Sequence, residues 1–145
     1  MAVTGKWFGL CFTAMLNKEI DWLTDTIKCS LHTSTYSPSQ DTDDYFNDAT
    51  NEITGTGYTA GGVTLAGKTI GYTAATNVTK LDSTDPEWTS STLTWRTAVV
   101  RDTQTGVATT EPLMIYQTDT VDYSTTNGTA TIQWNASGMA TITPD

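Results

Sequence analysis

The side chains with chemistry to offer are few: one histidine, His32, two cysteines, Cys11 and Cys29, and the acidic run Asp41, Asp43 and Asp44. A general base or an activated nucleophile needs a partner within hydrogen-bond reach, and no nucleophile phrase stands beside His32. Strand alternation would put Ile27, Cys29 and Leu31 on one face and Lys28, Ser30 and His32 on the other. His32 is therefore expected on the more polar face, exposed to solvent or holding a simple hydrogen bond. Together with Cys11 and Cys29 it makes too small and too widely spaced a set for a zinc site. Two cysteines are no disulfide framework in a chain of 145 residues, and they read as reduced, largely buried thiols. Asp41-Thr42-Asp43 opens like an EF-hand calcium loop, but such a loop needs Gly at its sixth position and Glu at its twelfth. Those positions hold Phe46 and Glu52, so the glycine is missing. The acids fit better in the first turn of a short helix within residues 37–48, capped by Ser39 or Asp41, where they meet the positive end of the helix dipole.

Longer signatures are absent from the sequence too. The glycine-rich residues 55–62, GTGYTAGG, lack the Lys-Ser/Thr ending of a phosphate loop, and there is no GxSxG elbow, HExxH helix or paired CxxC. Most of the 16 acids fall in turn-rich stretches, and sequence cannot set two of them at a glycosidase separation. The expectation is a protein that is no enzyme and carries no catalytic, cofactor or metal site. Three Asn-x-Ser/Thr sequons, at Asn77, Asn127 and Asn135, arise by chance in a chain this rich in threonine.

The elements that would position any site are strands. Threonine makes up roughly a fifth of the chain, well above its usual share, and a β-branched polar residue suits a half-exposed pleated face better than a helix. Asn51 to Asp82 reads as a β-meander, with Tyr58, Val63, Leu65, Ile70, Tyr72, Val78 and Leu81 near every second position between glycine turns. Glu19 to Thr26 reads as a polar turn, with Trp22 covering the edge of the core. After Pro86, Leu93 to Arg101 reads as one long strand and Leu113 to Thr118 as its hairpin return, joined by the polar loop 102–112. A second hairpin is expected at the C-terminal end, with Ala130, Ile132 and Trp134 on one arm and Met139 to Thr143 on the other. Roughly eight to ten short strands imply an all-β fold, an antiparallel β-sandwich or compact barrel with one short helix. The length fits a single domain, residues 1–145.

Composition narrows the partners. A net charge of −9, with 7 scattered basic residues, leaves no patch for phosphate backbones and no stripe for an anionic membrane. Neither nucleic acid nor membrane is expected as a partner, and no apolar run is long enough to span a bilayer. The run Trp7 to Phe12 fits poorly with a secretory signal, being cut by Gly9 and followed by no cleavage pair. It is apolar on both alternating faces, as in a strand buried on both sides or an arm that docks on a partner. Residues 1–16 are thus either a strand of the domain or an interface arm, with Trp7, Phe8, Leu10 and Phe12 as the interface residues, and a short helix through Ala14 and Leu16 is compatible with either. The tryptophans and tyrosines fit core filling better than a sugar-stacking platform.

Four phrases carry a family resemblance: residues 19–46, EIDWLTDTIKCSLHTSTYSPSQDTDDYF; 51–82, NEITGTGYTAGGVTLAGKTIGYTAATNVTKLD; 88–103, WTSSTLTWRTAVVRDT; and 127–143, NGTATIQWNASGMATIT. Together they resemble small structural proteins of tailed bacteriophage virions, some of them head decoration or minor virion proteins. The resemblance implies a virion protein assembled in the host cytoplasm. It would sit on the outer surface of the phage head in many copies, with the major capsid protein and copies of itself as partners. A tail or tail-tip component is the alternative within the virion, and a carbohydrate-binding module for the host surface is the alternative from another class.

Overall fold

Two segments dominate the sheet system because each carries a short buried apolar run, Ala98 to Val100 and Leu113 to Tyr116: TWRTAVVRD and LMIYQTDTVDYS become β7 (Thr94–Asp102) and β8 (Leu113–Ser124). The computed structural model describes residues 5–144. β7 lies at the centre of a five-stranded sheet. β8 is on one side, bordered by β1 (Lys6–Trp7), and β2 (Ile27–His32) is on the other, bordered by β3 (Val63–Thr64). A three-stranded sheet holds β4 (Thr69–Thr73), β5 (Val78–Asp82) and β10 (Ala140–Ile142), with β5 in the middle. A ribbon pairs β6 (Glu87–Ser91) with β9 (Gly128–Thr131). Every pairing is antiparallel and each sheet has two ends, so the fold is all-β and the sheets do not close into a barrel.

Residues from all three sheets share one continuous core. Phe8, Ile27, Cys29, Leu31, Val99, Leu113, Met114, Ile115 and Met139 are completely shielded from solvent. Cross-strand partners share a face, so Cys29, Val100 and Ile115 line one side of the large sheet while Ser30, Val99 and Tyr116 line the other. β3 reaches β2 through a close approach. Gly62 has φ of 75°, and a Cβ there would come within 1.8 Å of the Cys29 carbonyl oxygen, so only glycine fits.

Several expectations need correction. The stretch 51–82 is no single meander: β4 and β5 form its hairpin, while β3 leaves to pair with β2. Residues 37–48 form no α-helix beyond a 3-10 turn at Phe46–Asp48, because the Asp43 carboxylate accepts from the Ser39 amide and the Tyr36 hydroxyl and ties the chain into turns. Among the described residues the one short α-helix is α1 (Cys11–Leu16). The expected C-terminal hairpin splits as well. β9 pairs with β6 and β10 with β5, since the Trp134 amide bonds the Asp85 carboxylate and the Met139 amide bonds the Leu81 carbonyl.

Candidate functional site

His32 is not exposed. It is fully buried, with one ring nitrogen 2.9 Å from the Ser30 hydroxyl and the other 2.8 Å from the Thr50 carbonyl. The face expected to be polar is roofed by the irregular segment that follows β2, which sets the rings of Tyr36 and Phe46 at 5.2 and 6.2 Å from the imidazole. Burial lowers the His32 pKa, against the pull of the Thr50 carbonyl and Glu52. Both ring nitrogens are occupied by structural bonds, so His32 pins the segment 33–52 to the sheet. Cys11 and Cys29 are free and buried, and desolvation pushes both thiols up to about 12, which leaves little nucleophilic thiolate.

The interface residues proposed for the N-terminal segment separate in space. Gly5 is wedged where a Cβ would meet Ile115 at 2.3 Å and the Met139 carbonyl oxygen at 2.6 Å, so only glycine lets the backbone pack this closely. β1 then pairs with Ile115 and Tyr116 of β8. Phe8 is wholly buried against Tyr116, with ring centres 4.7 Å apart, and belongs to this domain's own core. Trp7 is half-buried, donates to the Thr141 carbonyl at 2.9 Å and meets the Phe12 ring at 5.2 Å. Leu10 is 38% exposed and Leu16 is 87% exposed, so the outer side of α1 is the part of the segment that faces solvent.

Two buried polar clusters lie at the far end of β7. Arg101 bonds Glu111 at 2.9 Å with both side chains nearly sealed, and its guanidinium lies 3.4 Å over the Phe46 ring. Next to it Asp102 is fully buried. Its Oδ1 accepts from the Gln104 amide at 2.8 Å, while its Oδ2 finds no partner when ionised. Burial first, and then the neighbouring Asp25 carboxyl, push Asp102 up to about 7. A Lys68 ammonium caps the Asp25 carbonyl on the same side. Among the described residues, no group of three or more His, Cys, Asp or Glu side chains is placed to hold a metal ion.

A concavity arises from an irregularity in the β7–β8 pairing. Trp95 pairs with Tyr123 and Thr97 with Thr118, so Arg96 alone stands opposite Asp119, Thr120, Val121 and Asp122. This excess of residues arches β8 away from its neighbour, as β-bulges do. Side chains hold the arch: Arg96 bonds Asp122 at 2.9 Å, and Asp119 accepts from both the Tyr123 hydroxyl and the Thr120 amide. Beneath it opens a cleft of about 330 Å³, lined by Trp95, Arg96, Ala98, Gln117, Thr118, Asp119 and Tyr123 and closed below by Thr131, Ile132 and Gln133. The Trp95 and Tyr123 rings stack at 5.9 Å with 28° between their planes. Sequence reasoning missed this cleft; the paired acids Asp119 and Asp122 around the apolar Val121, followed by a tyrosine, were its only trace.

Four of the five tryptophans fill the interior. Trp22, Trp88, Trp95 and Trp134 are each no more than 7% exposed, which rules out a broad open tryptophan platform. The sequon asparagines Asn77 and Asn127 sit at φ of 53° and 48°, where asparagine is favoured for turn geometry alone. No family model, no characterised protein and no solved structure matches this chain.

Proposed function

We propose that the chain is a structural protein of a tailed-bacteriophage particle, a head decoration protein that binds the outside of the capsid in many copies. The observation that carries this reading is the resemblance of the four phrases at residues 19–46, 51–82, 88–103 and 127–143, which together span most of the chain. Two features of the molecule support it. The clusters with polar chemistry, around His32 and around Arg101, are buried and bonded to partners within the chain, as suits a protein that works by its surface. The outer side of α1 also presents Leu10 and Leu16 to solvent, an apolar contact of the kind a capsid protomer can cover.

The mechanism is clamping by avidity. A subunit that touches several capsid protomers binds the assembled shell in preference to its free parts and so stabilises it by mass action. Labelling intact particles with a gold-conjugated antibody, together with the copy number relative to the major capsid protein, tests the reading. Label spread over the head at hundreds of copies is expected. Label confined to the tail would move the protein to the tail or tail tip, and particles without the protein would end the proposal.

A further inference from the structure

We propose that the cleft beneath the β8 arch is a binding site for a neutral saccharide of one or two pyranose rings. The inference goes beyond the virion role and does not depend on it. An arch with this excess of residues forfeits regular ladder bonds, yet here it is fixed by the Arg96 to Asp122 ion pair and by the Tyr123 to Asp119 hydrogen bond. The opening is therefore a specified shape rather than a frayed strand. Its volume of about 330 Å³ lies at the small end of ligand sites, which run from about 300 to 1,000 Å³ and so sets the size of the occupant.

The lining sets the chemistry. Tyr123 is half-buried and backed by Trp95, a rigid aromatic surface suited to the C–H face of a sugar ring. Around it stand the amide side chain of Gln133 and the hydroxyl of Thr131, both on exposed residues, which can donate to and accept from sugar hydroxyls. The charges at the rim leave no cation free to hold an anionic group. Arg96 is paired with Asp122, and the Asp119 carboxylate, which accepts from Tyr123 and Thr120, keeps a negative charge that disfavours an anionic ligand. An aromatic face, a planar amide, hydroxyls and no free cation together match an uncharged polyol ring better than a nucleotide or an acidic sugar.

The test is titration of the isotopically labelled full chain with maltose, cellobiose, lactose and N,N′-diacetylchitobiose at millimolar concentrations, followed by amide and indole correlation spectra. At least one of the four is expected to shift the Trp95 indole and the amides of residues 117–123 and 133, and to leave the β4–β5 hairpin unmoved. Tyr123→Ala is expected to weaken that binding about tenfold, the scale of one lost aromatic contact. Because Tyr123 also holds the arch, Gln133→Ala serves as the second variant: it removes one exposed amide, keeps the fold, and is expected to weaken the same titration. The proposal is overturned if none of the four sugars shifts these resonances, if the shifts map to another surface, or if glucuronic acid binds there while the neutral sugars do not. Particle localisation has no bearing on any of these outcomes.

Discussion

At the level of single residues, Asp102 and His32 pull the stability of the fold in opposite directions as pH changes. The Asp102 carboxyl is raised from 3.8 to about 7, so the folded state holds its proton more tightly than the unfolded chain. Its contribution is complete below about 4 and is lost as pH rises through about 7. His32 is lowered from 6.5, so its contribution is present above that value and is lost as pH falls below it. Asp102→Asn keeps the shape without the titration. Between pH 5 and pH 8 its melting temperature should fall less, or rise more, than that of the parent chain, because the loss at Asp102 is gone and the opposite contribution from His32 stays. An equal pH dependence in the two proteins, read by circular dichroism melts, would remove Asp102 from the account. Glu111 is a second case. Replacing it with Ala strands the Arg101 guanidinium inside the protein and should cost about 3–5 kcal/mol in denaturant unfolding, against well under 1 kcal/mol for a surface ion pair.

Among the elements, β4 is the edge least protected against pairing. All five of its residues are exposed, none is charged, and it ends the order β10, β5, β4. Natural edges usually carry charge, proline or a bulge. An antiparallel match with a second copy centred on Gly71 would set Ile70 opposite Tyr72 and Thr69 opposite Thr73, a favourable aromatic and β-branched pairing without like charges. Sedimentation velocity should accordingly show concentration-dependent self-association, and Ile70→Lys should abolish it while leaving the melt unchanged. A chain that stays monomeric at every concentration would refute this use of β4. The elements legible in the sequence were those whose alternation and turn lie side by side. The β7–β8 and β4–β5 hairpins and the inward face of β2, with Ile27, Cys29 and Leu31, follow from local pattern. Three features escaped. The partners of β9 and β10 are set by contacts some 40–60 residues away, which no local period encodes. His32 is buried by a roof without regular structure, so nothing periodic announced it. The acids at Asp43 and Asp48 satisfy turn amides, a competing use of the same residues that favour helix caps.

For the molecule as a whole, the N-terminal segment plays two parts that mutation can separate. Phe8 is core, and Phe8→Ala should cost about 3–5 kcal/mol, a large share of the 5–15 kcal/mol that holds a typical domain together. Deleting residues 2–12 should therefore abolish the cooperative melt. Leu16→Glu alters only the solvent side of α1, so the melt should stay within about 0.5 kcal/mol of the parent. On the decoration reading that variant should bind decoration-free heads more weakly. Binding equal to the parent would place the contact elsewhere on the surface.

The bond from the Trp7 indole to the Thr141 carbonyl joins positions 134 residues apart, and Gly5 meets Met139 beside it. On a ribosome, β1 therefore waits for β8 before it has its strand neighbour, and for residues 139–141 before the Trp7 indole and the Gly5 amide are bonded. Closing the chain over that span costs more entropy than forming the internal hairpins, so β1 is expected to dock late in folding. Until it happens, Phe8 and the Ile115 side of β8 remain wet and adhesive. Growing chains crowded on one message are most prone to aggregate at that stage, and in refolding experiments the slowest phase should report on Trp7.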